Sequence, residues 1–202
     1  MKTNYDKVLQ DIISNLKTRK KLLIHSCCGP CSSYVIEYLN KYFDITILYY
    51  NPNIYPFDEY QKRLETQQKI AYILNPNIKV INAKYDKDEY YKLIKGHEKD
   101  KEGEERCHIC YRMRLLYTCL YAKEHNYDYF TTTLSVSPYK NSEIINNIGK
   151  ELESKYNVNY LYADFKKRNG YKRSIELSKE YNLYRQDYCG CIFSKNYLNE
   201  DL

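Results

Sequence analysis

The alternation of apolar runs with amphipathic stretches along the chain predicts strands and helices in turn. Five short apolar runs indicate strands, at residues 22–24, 43–50, 78–81, 129–134 and 159–162. Stretches with apolar residues at helical spacing surround them, at residues 3–20, 32 onward, 58–74, 88–95, 107–124, 142–156 and 174–181. Strands that alternate with helices in this way form parallel sheets through right-handed crossovers. We therefore expect a single α/β domain over residues 1–202, a Rossmann-like parallel sheet flanked by helices.

The turn after the first predicted strand is rich in cysteine. Cys27, Cys28 and Cys31 lie within five residues, around Gly29 and Pro30. Side chains at this turn face the ligand crevice of an open α/β sheet, and a nearby helix N-terminus lowers the pKa of a thiol. The alternative is a turn whose cysteines are buried and inert. The clustering of three thiols argues against this alternative. No glycine-rich phosphate loop is present, which argues against ATP or a dinucleotide at this turn.

Two further pairs of cysteines follow. Cys107 and Cys110 lie at the start of a predicted helix, and Cys189 and Cys191 flank a glycine in a tight turn. Cys119 lies well inside the same helix and is interpreted as a buried apolar residue. A zinc ion bound by the two pairs would leave three thiols unexplained. Four thiolates suit a [4Fe–4S] cluster equally well, with a second, mononuclear metal at the other thiols, and spacing does not choose among Fe–S, zinc and Cu(I).

Composition indicates the cellular compartment and the class of partner. The chain has no apolar run of membrane-spanning length, so we expect a soluble, cytoplasmic protein without a membrane partner. In that compartment eight cysteines indicate metal or redox chemistry and not disulfides. The net charge of +6 favours a polyanionic partner. The 26 tyrosines suit base stacking, although biased composition explains them better. The basic stretch 164–173 is either a phosphate contact or a solvated loop.

Five motifs in order resemble the epoxyqueuosine reductases of the QueH type. They are His25-Ser26-Cys27-Cys28-Gly29-Pro30-Cys31, Tyr50-Asn51-Pro52-Asn53-Ile54, Arg106-Cys107-x-x-Cys110-Tyr111-x-x-Arg114-Leu115, Thr133-Leu134-Ser135-Val136-Ser137-Pro138-Tyr139-Lys140 and Tyr188-Cys189-Gly190-Cys191-x-x-Ser194. The resemblance runs from the first strand to the last motif.

This resemblance implies an adenine-nucleotide-hydrolase-like (HUP) sheet with a C-terminal cysteine-bearing segment, a [4Fe–4S] cluster and a nearby mononuclear iron. It also implies reduction of epoxyqueuosine to queuosine at the tRNA wobble position, with the epoxide oxygen lost as water and electrons from an external donor. Which thiols hold the cluster and which the single iron stays open. The family has Cys or Asp at the position of Cys31, so the iron ligands vary between members.

Candidate roles follow from the motifs. Cys27 and Cys31 are expected at the reacting centre, with His25, Tyr111 or Tyr139 as the proton donor. The anticodon stem-loop is expected to contact cationic residues, namely Arg106, Arg112, Lys140, Lys166, Lys167, Arg168, Lys172 and Arg173. Competing hypotheses are a tRNA thiolation enzyme on the same sheet and a zinc-stabilised RNA-binding module. Thiolation would need ATP, and its usual Ser-Gly-Gly-x-Asp-Ser loop is missing from the first turn.

Overall fold

A computed structural model describes residues 3–194. Its strands are β1 (Lys20–His25), β2 (Phe43–Tyr49), β3 (Lys79–Asn82), β4 (Tyr129–Thr132) and β5 (Asn159–Tyr160). Its helices are α1 (Tyr5–Ser14), α2 (Gly29–Leu39), α3 (Phe57–Leu74), α4 (Lys87–Leu93), α5 (Glu105–Glu124), α6 (Ser142–Tyr156) and α7 (Gly170–Glu180). A short 3-10 turn over Thr133–Val136 follows β4.

The five strands form one parallel sheet in the order β3-β2-β1-β4-β5. From β1 the chain builds outward through β2 and β3, and then returns to the other side of β1 to add β4 and β5. The order therefore reverses between β1 and β4, and a crevice opens at the carboxyl ends of these two strands. The predicted α/β fold with a parallel sheet is confirmed, and the HUP assignment stays a prediction.

The central strand β1 is buried on both faces over residues 22–24, which is why this part of it is an apolar run and not an alternating one. Leu23 of β1 packs on the face covered by α5 and α6, whereas Leu22 and Ile24 pack on the face covered by α1, α2 and α7. All three side chains are fully buried. The sheet is thus the rigid middle layer, and the loops at its carboxyl edge carry the cysteines.

Two helices begin earlier than the sequence pattern predicts. Helix α2 begins at Gly29, so that Cys31 lies in its first turn, and Pro30 is well suited to this position because the missing N–H would have had no helical partner. A Cβ atom at Gly29 would lie 2.7 Å from the Thr66 carbonyl oxygen of α3, so the glycine lets the two helices approach. Helix α7 begins at Gly170, which places Lys172 and Arg173 on a helix instead of in a basic loop.

Within residues 3–194 we find no helix long and apolar enough to cross a membrane. All eight cysteines carry free thiols.

Candidate metal centre

Three thiols meet where β1 passes into α2. Cys28 is the extended residue immediately before the helix, Cys27 precedes it, and Cys31 lies in the first helical turn. The three Sγ atoms all lie within 4.8 Å of one another, and those of Cys27 and Cys28 are 3.9 Å apart. In the described part of the chain, no other three potential Cys, His, Asp or Glu ligands come this close together. Two sulfurs bound to one ion at about 2.3 Å each are at most about 4.6 Å apart, so this trio fits a single metal ion with little adjustment.

The electrostatics of the trio concentrate negative charge on one sulfur. Hydrogen bonding with Cys28 and Cys31 lowers the pKa of Cys27 well below its usual value, and the cations Arg114 and Lys140 add to this. The same bonding with Cys27 raises the pKa of Cys28 to about 12 and also raises that of Cys31. Cys27 is therefore the thiol that is ready to act as a thiolate ligand.

The other four thiols come from α5 and the last described turn. Cys107 and Cys110 lie in the first turns of α5 and are both buried. Burial and the neighbouring Cys189 and Cys191 raise the pKa of Cys110 to about 12. Burial, together with Cys189, raises the pKa of Cys191 to about 11. The two predicted pairs therefore lie close enough for their charges to interact. A negative charge on one sulfur makes ionisation of the next thiol less favourable, unless a cation binds among them.

A buried arginine holds the Cys189–Cys191 turn against helix α3. Arg63 donates from Nη1 to the Cys189 carbonyl at 3.1 Å and from Nη2 to the Tyr188 carbonyl at 3.3 Å, while its Nε pairs with Glu59 at 2.6 Å. Gly190 has a φ of 110°, which other residues rarely adopt, and its carbonyl accepts from the Tyr55 amide at 2.8 Å. Arg63 is also close enough to Cys28 to lower the pKa of that thiol, so one side chain connects the first and last thiol groups.

All three thiol groups converge at the same end of the sheet. Cys27, Cys28, Cys107, Cys110 and Cys191 belong to one buried cluster, and Cys31 packs against it. Cys189 joins Cys27 and Cys31 in the wall of a cavity of about 830 Å³. Tyr139, Tyr171, Tyr188, Lys140 and Arg185 also line this cavity. Cys119 is buried in the same core, but its Sγ faces the Leu152 carbonyl of α6. The seven predicted ligands are thus brought together, and the eighth cysteine stays apart.

The structure gives His25 a different task from the proton donation expected of it. The ring is fully buried, with Nδ1 at 2.9 Å from the Thr132 hydroxyl and Nε2 at 3.1 Å from the Tyr50 carbonyl. Burial, reinforced by Arg114, lowers its pKa to about 3. A neutral ring must donate from Nε2 to the carbonyl and accept at Nδ1, so both nitrogens are committed to holding β1 beside β4 and the end of β2. This arrangement argues against His25 as a proton donor.

Besides Arg63, three further cations lie buried around the thiols. Arg114 and Arg106 are each 1% exposed and Lys140 is 9% exposed. Arg106 donates to the carbonyls of Glu98 and Asp100 and stacks on Phe193 at 4.7 Å, so it is engaged within the protein. Lys140 raises the acidity of Cys27, as Arg114 does. Arg106 is therefore not available for the phosphate contact expected of it, whereas Lys140 lies beside the thiols in the wall of the cavity.

The remaining predicted RNA contacts are dispersed. Three arginines form ion pairs within the protein, Arg112 with Glu151 at 2.7 Å, Arg168 with Asp6 at 2.9 Å and Arg173 with Glu37 at 2.6 Å. Lys166 pairs with Asp164 and donates to the Ser135 and Lys140 carbonyls. Lys167 and Lys172 are exposed. Among the predicted contacts in the described part of the chain, only Lys167 and Lys172 are exposed and form no ion pair. These two lysines are therefore the best placed to contact phosphate groups.

Comparison with known proteins identifies the group to which these features belong. The model of the family described as epoxyqueuosine reductase QueH matches residues 22–197. This chain belongs to the QueH family. A QueH relative from Staphylococcus epidermidis is 45% identical over 96% of this chain and 85% of its own length. Relatives from Streptococcus pyogenes (40% identical, 100% of this chain and 82% of the relative) and Thermotoga maritima (38%, 86% and 89%) carry the same name. The QueH relatives are named as reductases, and the chain is accordingly an enzyme of the oxidoreductase class.

The geometry adds residues to the QueH motifs that the sequence did not single out. Arg63 lies in a polar stretch of α3, four residues after Glu59. In the sequence, this spacing is typical of an ion pair on the surface of a helix. Tyr171 and Arg185 line the cavity beside Tyr139, and their ring and guanidinium lie 5.4 Å apart. The only signal for these residues in the sequence is that many of their neighbours are aromatic or cationic. This pattern does not indicate which side chains face the crevice.

Proposed function

We propose that the chain reduces epoxyqueuosine to queuosine at the wobble position of tRNA. In this reaction the two carbon–oxygen bonds of the epoxide break and a carbon–carbon double bond forms. A pair of electrons and a pair of protons are consumed, and the oxygen leaves as water. An external one-electron donor supplies the electrons. The observation that carries the proposal is a cavity of nucleoside size lined by Cys27, Cys31 and Cys189, with the remaining predicted ligands buried behind it, and membership of the QueH family supports it.

Two iron sites account for the seven thiols in this proposal. The compact trio of Cys27, Cys28 and Cys31 suits a single iron, because its sulfurs are near enough to share one ion. Cys107, Cys110, Cys189 and Cys191 are less compact, which suits a [4Fe–4S] cluster, because each cysteine binds a different iron of the cluster. When bound, the single iron would supply a Lewis acid for the epoxide oxygen and the cluster a path for single electrons.

The protein's own groups would handle the proton and the charge. Tyr111 is buried beside Lys140 and Arg114, and burial raises its pKa well above the usual tyrosine value. It therefore holds its phenolic proton at neutral pH and is the proposed proton donor in place of His25. Lys140 and Arg114 supply positive charge where the epoxide oxygen would gain negative charge. Cys27, with its lowered pKa, would bind metal as a thiolate at neutral pH.

The cavity suits a nucleoside extruded from an anticodon loop. Its volume of about 830 Å³ lies in the range of small-molecule sites. Tyr139 is 78% exposed at the mouth, with Tyr171 and Tyr188 in the same wall. Exposed aromatic rings of this kind stack on unpaired bases, which is how proteins hold single-stranded RNA. We propose that these rings hold the anticodon bases and that Lys167 and Lys172 contact phosphate groups nearby.

Anaerobic purification and a nucleoside assay test the proposal together. The protein is purified without air, its iron and sulfide are counted, its visible spectrum is recorded, and it is incubated with tRNA carrying epoxyqueuosine and a chemical reductant. Digestion of the tRNA should yield queuosine. The Cys28→Ala variant should give none, whereas the matched Cys119→Ala variant should retain activity, because Cys119 lies apart from the other thiols. A colourless zinc protein without turnover, or an active Cys28→Ala variant without iron, would refute the proposal.

A further inference from the structure

Arg114 is a buried cation with an incomplete set of hydrogen bonds. It lies on α5 one turn after Cys110 and is 1% exposed. Its Nε donates to the Cys110 carbonyl at 3.3 Å, and its guanidinium lies 5.9 Å from the centre of the Tyr111 ring. The terminal nitrogen Nη2 is buried and has no hydrogen-bond partner among the described residues. A buried N–H group without an acceptor is costly, so its persistence calls for a partner.

No carboxylate in residues 3–194 forms an ion pair with Arg114. Three of the groups whose negative charge would stabilise it are the thiols of Cys110, Cys27 and Cys189, and the neighbouring phenol of Tyr111 is a fourth. Each of these three thiols comes from a different one of the three cysteine groups. An isolated buried cation is strongly unfavourable unless a negative charge compensates it. Arg114 is thus a buried cation whose neighbours are thiols of the proposed metal centre, and metal-bound thiolates would supply the negative charge that compensates it.

We propose that Arg114 is a positioning residue that compensates the negative charge of the metal-bound thiolates and thereby raises the reduction potential of the centre. The inference rests on the proposed iron centre. Adding an electron makes the centre more negative, and a fixed positive charge nearby stabilises that reduced form more than the oxidised one. In a low-dielectric interior this effect is large, since solvent does not screen it. Hydrogen bonds and net charge around the sulfurs are general determinants of such potentials.

The test replaces Arg114 by Met, which keeps an unbranched apolar stem and removes the guanidinium group with its charge. Iron and sulfide per chain are counted first, and the midpoint potential is then measured by anaerobic dye titration. We expect the equilibrium constant for one-electron reduction to fall at least tenfold, which is a shift of about 59 mV toward lower potential. Arg112→Met is the matched control. Arg112 lies on the same helix but is exposed and paired with Glu151, so this variant should keep the wild-type potential.

Each outcome decides the inference. A loaded Arg114→Met variant with the wild-type potential would overturn it, while a normal iron content and turnover in the wild type would leave the proposed function standing. If Arg114→Met fails to bind iron, Arg114→Lys separates charge from shape. Recovery of iron with near wild-type potential in the lysine variant supports the charge role, and failure of both variants overturns it in favour of a purely structural one. A folded wild-type protein that binds no iron would refute the proposed function and the inference with it.

Discussion

Replacing Gly190 by Ala is expected to release the last thiol pair from the centre. The φ of 110° at Gly190 is poorly tolerated by alanine, at a cost of about 1–3 kcal/mol. The added Cβ would also lie 2.8 Å from Nη1 of Arg63 and 3.2 Å from its Cζ. Arg63 has little freedom to retreat, because it is buried and bonded to Glu59 and to two carbonyls of the same turn.

The magnitude follows from these contacts. Displacing the guanidinium would sacrifice at least one charge-assisted hydrogen bond, worth about 1.5–3 kcal/mol. With the backbone strain, docking of the turn should weaken by about 2.5–6 kcal/mol, which is a change of about seventyfold or more in its equilibrium constant. The sheet does not depend on this turn. We therefore expect the variant to fold and to lose most of the iron bound through Cys189 and Cys191.

The assay is iron and sulfide per chain with the visible spectrum after anaerobic reconstitution, beside thermal unfolding. Gly96→Ala is the matched control, since Gly96 also has a positive φ, of 91°, but a Cβ there would meet nothing within 4 Å. It should carry the strain without the clash and keep its iron. If Gly190→Ala bound as much iron as Gly96→Ala, the reasoning that Arg63 fixes this turn would be wrong.

Three further predictions concern the core, the buried histidine and RNA binding. Gly149→Ala would drive a Cβ into the Tyr160 ring and should lower the free energy of unfolding by about 1–3 kcal/mol in urea titrations without changing iron content. His25 has a folded-state pKa of about 3, below its unfolded value near 6.5, so its contribution to stability is complete above about pH 6.5 and is lost as the pH falls toward 3. Urea unfolding of the metal-free, reduced protein should thus show a loss of about 2 kcal/mol between about pH 7.5 and about pH 5, and a His25→Gln variant in which that loss persists would contradict the assignment. Lys167→Ala and Lys172→Ala should each reduce the salt dependence of binding to an anticodon stem-loop by about one unit of slope, and an unchanged slope would exclude the lysine concerned as a phosphate contact.

The sequence was sufficient for the sheet and for the thiols. Strands buried on both faces must be apolar runs, so their positions can be read without knowledge of their neighbours. Cysteines are chemically distinctive, and three groups of them at a predicted sheet edge indicate a shared metal centre. The start of α2 was misjudged because Gly29 and Pro30 usually mark a turn. Here Pro30 occupies the first helical turn, and Gly29 is required by the approach of Thr66.

The buried cations could not be predicted from sequence, because Arg and Lys are rarely buried without a partner. The groups that compensate Arg114 are thiols from distant parts of the chain, so no local pattern reveals the pairing. The structural role of His25 is not evident from the local sequence either. Its partner Thr132 belongs to β4 and its partner Tyr50 directly follows β2. Charge alone does not identify RNA contacts either, since Arg168 and Arg173 form ion pairs with carboxylates of α1 and α2.

The exposure of two thiols in the cavity wall has a practical consequence. An opening that would admit the proposed nucleoside would also admit dioxygen, and Cys31 and Cys189 are partly exposed in this wall. Oxidation of a thiol depends on its exposure and its thiolate character, so damage in air should begin at this wall and spare the sealed Cys119. The lifetime of the empty protein in air is therefore limited by the same passage through which its substrate must enter.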